Sequence, residues 1–281
     1  MLSLVKVFFS SVIPKIFIFI LNIALARNLN LGDFGTYAYV KSFFNFFETI
    51  ISSSLVPHSV SSLSNETLRV GQVTSIYFLF AVITALLSAL TIIVDGTISS
   101  IYIPIILGIG VFGSIANSYM YVRVITKDKT DILFLSSFLS LLILGVLLYF
   151  SSINSVEYAL LFIVTFNCLD FLFRWTFLKR HTFNIKFEVS NLQLKKPLLL
   201  MASLGINGVI FLFQRIMLAK TENGMEQMAY LEIVMIIFSL IAVFLSSQGN
   251  YLMGQKKLIF LKYELVAFKL LLFLTLASST I

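Results

Sequence analysis

The chain has 281 residues, of which 59% are hydrophobic and only 12% are charged, and its net charge is +7 at pH 7. A soluble domain carries about 25% charged residues, so this composition excludes an ordinary soluble protein and predicts several membrane spans. The positive charge does not indicate nucleic-acid binding, because the basic residues lie mainly in short connections between apolar segments.

Nine apolar segments follow one another along the chain, each about 20 residues long, which is enough to cross the hydrocarbon core as a helix. The segments are continuously apolar rather than alternating, so the predicted fold class is an all-α polytopic membrane protein. They are predicted at 7–26, 35–57, 72–94, 100–122, 132–152, 157–178, 197–219, 227–247 and 260–281.

Basic residues are distributed unequally between the two sets of connections. Most of the Lys and Arg residues fall in one set, whereas only Arg27 and Lys220 fall in the other. Positive charge marks the cytoplasmic side, so the N-terminus is predicted to be cytoplasmic. The longest connection divides the chain into an N-terminal six-helix bundle (1–178), a basic cytoplasmic linker (179–196) and three helices of a second bundle (197–281).

The second group of helices resembles the first when the chain is shifted by 193 residues. Residues 23–27 (IALAR) then fall on residues 216–220 (IMLAK). The two copies begin on the same side of the membrane, so the pattern predicts a parallel repeat of six helices. The polar residues that match are Asn30 with Asn223, Asp33 with Glu226, and Tyr37 with Tyr230.

Several polar side chains lie inside the predicted spans, among them Lys15, Lys41 and Arg215, and the acids Glu48 and Glu232. Each charge costs about 2.5–3.5 kcal/mol at the centre of a bilayer, so such residues usually face a bundle interior or a wet cavity. Helical spacing places Lys15 with Asn22 on one face, and Lys41 with Asn45 and Glu48 on another. The excess of cations predicts an anionic cargo such as a diphosphate. The candidate cargo-binding residues are Lys15, Asn22, Arg27, Lys41, Asn45, Glu48 and Arg215.

Some of these features have a simpler structural interpretation, which stays open here. Arg27 and Lys220 fit interfacial anchors as well as cargo ligands. Asp170 and Arg174 are spaced i and i+4 on one helix, as in a local ion pair. The single cysteine, Cys168, is predicted to be a buried small side chain. No metal site, cofactor or catalytic residue is expected, and the protein is not expected to be an enzyme.

Residues 26–42 (ARNLNLGDFGTYAYVKS) resemble the turn between the first two helices of O-antigen and capsule repeat-unit flippases. Residues 215–230 (RIMLAKTENGMEQMAY) look like the turn between helices seven and eight. The family belongs to the multidrug/oligosaccharidyl-lipid/polysaccharide exporter superfamily. The resemblance implies two six-helix bundles around a V-shaped cavity, with cationic residues in it; Lys15, Lys41 and Arg215 match that role.

The same resemblance implies a function and a location. A flippase of this kind moves a polyprenyl-diphosphate-linked oligosaccharide from the inner to the outer leaflet of the bacterial inner membrane by alternating access. Its partners would be that lipid-linked oligosaccharide, the lipid bilayer, and a polysaccharide polymerase with its chain-length regulator. Such flippases usually have twelve helices, so nine segments lead us to expect a C-terminally truncated chain.

Two other functions remain as alternatives. A membrane-embedded O-antigen polymerase or glycosyltransferase would be expected to carry a long outer loop rich in Arg and acids, and the sequence has none. A small-molecule antiporter of the same superfamily would be expected to have an acidic cavity rather than a cationic one.

Overall fold

The computed structural model describes residues 2–151, 153–179, 187–188 and 194–235, and all regular secondary structure within these ranges is helical. The predicted all-α fold class is confirmed for this part of the chain. A further helical stretch, called α8 below, covers residues 224–235. The preceding helices are α1 (Leu2–Asn28), α2 (Leu31–Ser64), α3 (Val70–Asp95), α4 (Tyr102–Thr126), α5 (Thr130–Phe150), α6 (Val156–Lys179) and α7 (Lys195–Ala219).

These helices coincide with the predicted apolar segments to within a few residues at most ends. The exception is α2, which was predicted to end at 57 but continues through Pro57 to Ser64. The eighth predicted segment begins three residues early, at 224, and lies outside the described residues after 235. The ninth, at 260–281, lies entirely outside them.

Four helices, α3, α4, α5 and α6, are long and apolar enough to cross a membrane, and α7 makes a fifth if its two parts form one span. Those parts, Lys195–Ser203 and Gly208–Ala219, meet at a bend of 45°. The predicted spans at α1 and α2 are not among the four, and α2 carries Lys41, Glu48 and His58 along its length. The described residues therefore contain four or five helices suited to membrane insertion, whereas the sequence predicted nine spans for the whole chain.

The turn between α1 and α2 is fixed by a polar cap. Asn30 is the N-cap of α2: its Oδ1 accepts a hydrogen bond from the backbone N–H of Asp33 at 2.8 Å. Its Nδ2 donates to the Asp33 carboxylate, also at 2.8 Å. This arrangement satisfies one of the N–H groups that a helix start leaves unpaired, and it places an acid at the positive end of the helix dipole. Asn30 and Asp33 thus form a helix-start signal in the sequence.

Packing is closest between α3 and α4, α4 and α6, α1 and α5, and α2 with both α4 and α7. The interior between these helices is apolar and aromatic. Phe17 of α1, for example, stacks on Phe166 of α6 with ring centroids 4.8 Å apart. Helix α2 therefore packs against both α4 and α7.

Polar contacts between helix ends occur at two opposite faces of the helical bundle. At the first face, Lys6 near the start of α1 pairs with Asp131 at the start of α5. At the second face, Ser100 Oγ, just before α4, donates to Glu157 at the start of α6 at 2.8 Å. Successive helices therefore run in alternate directions, as the predicted topology requires.

Only Phe187 and Glu188 of the central part of the predicted linker are described, and both contact α3. The backbone N–H of Glu188 lies 3.0 Å from Ser75 Oγ, and its carboxylate lies 3.1 Å from Arg69 Nη1. The Phe187 ring packs edge-on against Phe78. This part of the linker is therefore held at the start of α3, on the first face.

Candidate functional site

A buried cluster of three charged side chains joins α2, α7 and α8. Lys41 Nζ lies 2.5 Å from Glu232 Oε1, and Arg215 Nη1 lies 3.5 Å from Glu232 Oε2. The three residues are only 3%, 3% and 4% exposed, for Lys41, Glu232 and Arg215 respectively. We call these residues the charge cluster. One carboxylate bridges two cations that come from different helices.

Aromatic rings lie against both cations of the charge cluster. Lys41 Nζ is 5.6 Å from the centroid of the Tyr37 ring, one helical turn earlier on α2. Arg215 Cζ is 4.8 Å from the centroid of the Phe211 ring, one turn earlier on α7. Both distances allow attraction between the cation and the negative face of the ring. The rings hold the cations in place without neutralising their charge.

The charge cluster carries more positive than negative charge. A third cation, Lys15 of α1, is half-buried and lies close enough for its charge to repel that of Lys41, as does that of Arg215. Lys15 forms no ion pair with a carboxylate in the part of the chain that the structure describes. Three cations therefore share this region with Glu232 as the bridging acid.

Two buried donors next to the charge cluster have no hydrogen-bond acceptor among the described atoms: Asn22 Nδ2 and Arg215 Nε. Asn22 is 4% exposed, and its Oδ1 accepts a hydrogen bond from the Tyr37 hydroxyl at 3.1 Å. A buried donor without a partner costs about 1–3 kcal/mol, and most buried polar groups in proteins do have a partner. Both donors suit an acceptor-rich ligand.

The other predicted site residues do not take part in the charge cluster. Asn45 and Glu48 are half-buried on α2. Arg27 is exposed in the last turn of α1. None of the three forms an ion pair within the described ranges. The structure thus brings together Lys15, Asn22, Lys41 and Arg215, and leaves Arg27, Asn45 and Glu48 without a shown role.

The sequence pattern did not identify Glu232 as the partner of the cations. It lies inside the eighth predicted segment, 191 residues from Lys41. The need to compensate buried cations does predict a nearby acid. The spacing on α2, however, places a different acid, Glu48, on the same helix face as Lys41. Only the packing of α8 against α2 distinguishes the two acids.

Glycines allow α2 to approach its neighbours closely. A Cβ atom at Gly35 would lie 1.7 Å from the backbone oxygen of Met225, so the backbones of α2 and α8 touch there. On α7, a Cβ atom at Gly208 would lie 3.1 Å from the Phe46 ring of α2. These contacts bring the buried ends of Lys41 and Glu232 within reach of each other.

A second buried charge network lies between α4, α5 and α6. Asp170 and Arg174, one turn apart on α6, pair at 2.5 Å, which confirms the predicted local ion pair. Asp170 also accepts hydrogen bonds from Asn117 at 3.0 Å and Ser137 at 3.3 Å. Arg174 donates to Ser136 and Ser137, both at 3.3 Å, and to the Asn117 backbone oxygen. The negative charge of Asp170 therefore balances the positive charge of Arg174.

Lys220, predicted as either an interfacial anchor or a cargo ligand, pairs with Asp95 at 3.4 Å on the second face. Asp95 ends α3 and also accepts hydrogen bonds from Thr97 and from the Tyr39 hydroxyl, the latter at 2.7 Å. This polar contact ties the ends of α3 and α7 to the start of α2. It favours a structural role for Lys220.

No group of three or more metal-binding side chains occurs among the described residues. Cys168, which is half-buried, is the chain's single cysteine.

Comparison with known proteins gives no match: no protein-family model, curated protein or solved structure resembles this chain.

Proposed function

We propose that the protein is a flippase that moves a polyprenyl-diphosphate-linked oligosaccharide from the inner to the outer leaflet of a bacterial inner membrane. The observation that carries the proposal is the charge cluster, in which Lys41 and Arg215 share one carboxylate and lie near a third cation, Lys15. A buried excess of positive charge in a chain of apolar helices is expensive unless an anion binds there.

Coulomb's law gives a scale for the binding of such an anion. Two opposite charges 4 Å apart attract by about 4 kcal/mol at an effective dielectric constant of 20. Inserting one charged side chain costs about 2.5–3.5 kcal/mol, so a bound diphosphate offsets the cost of the lysine. A neutral cargo offers no such compensation, and a cationic cargo would be repelled.

Alternating access requires that the site lie between two units that move relative to each other. The charge cluster fits this requirement because Lys41 belongs to α2, whereas Arg215 and Glu232 belong to the helices after the linker. We propose that α1–α6 form one bundle and that α7 and α8 begin the second, within a chain of nine spans.

Helix register supports the proposed parallel repeat. α2 begins at Leu31 and α8 begins 193 residues later, at 224, which is the offset of the sequence repeat. Asn22 and Arg215 occupy equivalent positions under this offset, and each supplies one of the unpartnered donors. Reporter fusions after Asn30 and Asn223 should both locate to the periplasm, with the N-terminus cytoplasmic; opposite locations would contradict the repeat.

Among the alternatives, a small-molecule antiporter with an acidic cavity fits the charge cluster less well, because the cluster has more cations than acids. For a polymerase or glycosyltransferase, the described residues offer no observation in favour.

The proposal is tested by complementing a bacterial strain that lacks its own repeat-unit flippase. The Lys15→Ala, Lys41→Ala and Arg215→Ala variants should each produce less surface polysaccharide than the wild type at equal protein level. Lys129→Ala is the matched control, because Lys129 is exposed between α4 and α5. Full complementation by all three variants would contradict the proposed function.

A further inference from the structure

We infer that Glu232 is an internal competitor for the anion site: its carboxylate occupies the place that a diphosphate bound to Lys41 and Arg215 would take. This inference rests on the proposed function and adds the group that the cargo must displace. It follows from the bridging geometry, in which one Glu232 oxygen lies 2.5 Å from Lys41 Nζ and the other lies 3.5 Å from Arg215 Nη1.

The carboxylate satisfies only part of the site. Arg215 Nε and Asn22 Nδ2 have no acceptor in the part of the chain that the structure describes, although both residues are more than nine-tenths buried. The longer Arg215 contact is also at the limit of a hydrogen bond, whereas charge-assisted pairs are usually 2.7–2.9 Å long. A diphosphate has more acceptor oxygens and more charge than one carboxylate, so it can engage donors that Glu232 leaves unpaired.

The competition gives the site its selectivity. Glu232 is attached to the chain, so its effective concentration at the two cations is far higher than that of a free monoanion. A monoanion that makes the same two contacts therefore gains nothing by replacing it. A diphosphate gains additional charge pairing and additional hydrogen bonds. The site is expected to discriminate against carboxylates and other monoanions.

The competition also links cargo binding to helix movement. Lys41 and Glu232 join α2 to α8 through a direct ion pair. When a diphosphate takes over Lys41 and Arg215, the Glu232 carboxylate must move away from the bound anion, because like charges repel. Cargo binding thus removes a contact that holds α8 against α2.

Anion binding to the purified full chain in detergent tests the inference, with inorganic pyrophosphate and acetate as probes and the thermal unfolding temperature as the readout. In the wild type, pyrophosphate should raise this temperature and acetate should not. Glu232→Gln removes the competing charge while keeping the shape, so the apparent Kd for pyrophosphate should fall about tenfold. Glu226→Gln is the matched control, since Glu226 is exposed on the same helix; its apparent Kd should stay within twofold of wild type.

A second variant covers the case in which Glu232→Gln does not fold. Glu232→Ala leaves a space beside Lys41 and Arg215, so acetate should raise its unfolding temperature while leaving that of the wild type unchanged. The inference is overturned if acetate stabilises the wild type as much as Glu232→Ala, if Glu232→Gln binds pyrophosphate no more tightly than wild type, or if pyrophosphate binds neither protein.

The outcomes also separate this inference from the proposed function. If Lys15→Ala, Lys41→Ala and Arg215→Ala all complement fully, the flippase proposal fails. If these variants lose complementation while Glu232→Gln leaves pyrophosphate affinity unchanged, the proposed function stands and only the competitor role is wrong.

Discussion

The two buried charge networks of this protein use the same kinds of side chain in different ways. The Asp170–Arg174 pair lies on one helix, has equal positive and negative charge, and receives further hydrogen bonds from α4 and α5. Among the described residues, the charge cluster spans three helices, has more cations than acids, and lies beside two donors without an acceptor. We conclude that the first network holds α4, α5 and α6 together, and we propose that the second binds an anion.

The largest difference between the networks should appear in transport. Lys41→Met should reduce surface polysaccharide at least tenfold in the complementation assay, because it removes a cation of the proposed site. The chain should still fold, since Arg215 continues to neutralise Glu232.

The double variant Asp170→Asn/Arg174→Met is the counterpart in the first network. It removes both charges together, so no buried charge is left unpaired, and replacing a buried ion pair in this way is often close to neutral. Surface polysaccharide should stay within twofold of the wild type. A loss of transport as large as that of Lys41→Met, at equal protein level, would remove the distinction between the two networks.

The next largest effect should come from the close approach of α2 and α8. Gly35→Ala would place a methyl group 1.7 Å from the backbone oxygen of Met225, so the two helices must separate. Overpacking of this kind costs about 1–3 kcal/mol, which should appear as a lower unfolding temperature in detergent.

The matched control is Gly145→Ala on α5, where a Cβ atom meets nothing within 4 Å. Alanine is the better helix former by about 1 kcal/mol, so this variant should be as stable as the wild type or more stable. If both substitutions change the unfolding temperature equally, the backbone contact between α2 and α8 is absent.

The smallest effect concerns the polar contact on the second face. Tyr39→Phe removes the hydrogen bond from the buried tyrosine to Asp95 and should cost about 1 kcal/mol in stability. Asp95 keeps its contacts with Thr97 and Lys220, so transport should change little. Tyr149→Phe, which alters an exposed tyrosine on α5, should leave the unfolding temperature unchanged. If both variants lower the unfolding temperature equally, the hydrogen bond from Tyr39 to Asp95 does not contribute to stability.

The sequence predicted the helices more completely than the site. Segment length and continuous apolarity were sufficient for α3–α6, because a helix that crosses a membrane must be about 20 residues long. The extension of α2 beyond Pro57 was not predicted, since proline usually ends or kinks a helix, yet α2 continues to Ser64.

The sequence likewise predicted a local charge pair but not a distant one. The i, i+4 spacing of Asp170 and Arg174 predicted their pairing, because helix geometry alone brings such side chains together. No local spacing relates Lys41 to Glu232, which meet only through the packing of α8 on α2. The sequence therefore singled out both cations of the charge cluster but could not identify the acid that pairs with them.

The most direct test of the central claim is the binding of a long-chain prenyl diphosphate to the purified chain, measured by native mass spectrometry beside the corresponding prenol. The wild type should bind the diphosphate at least tenfold more tightly than the prenol, and Lys41→Ala should lose most of that preference while binding the prenol as before. Equal binding of the two lipids by the wild type, or an undiminished preference in Lys41→Ala, would contradict the assignment of the charge cluster as an anion site.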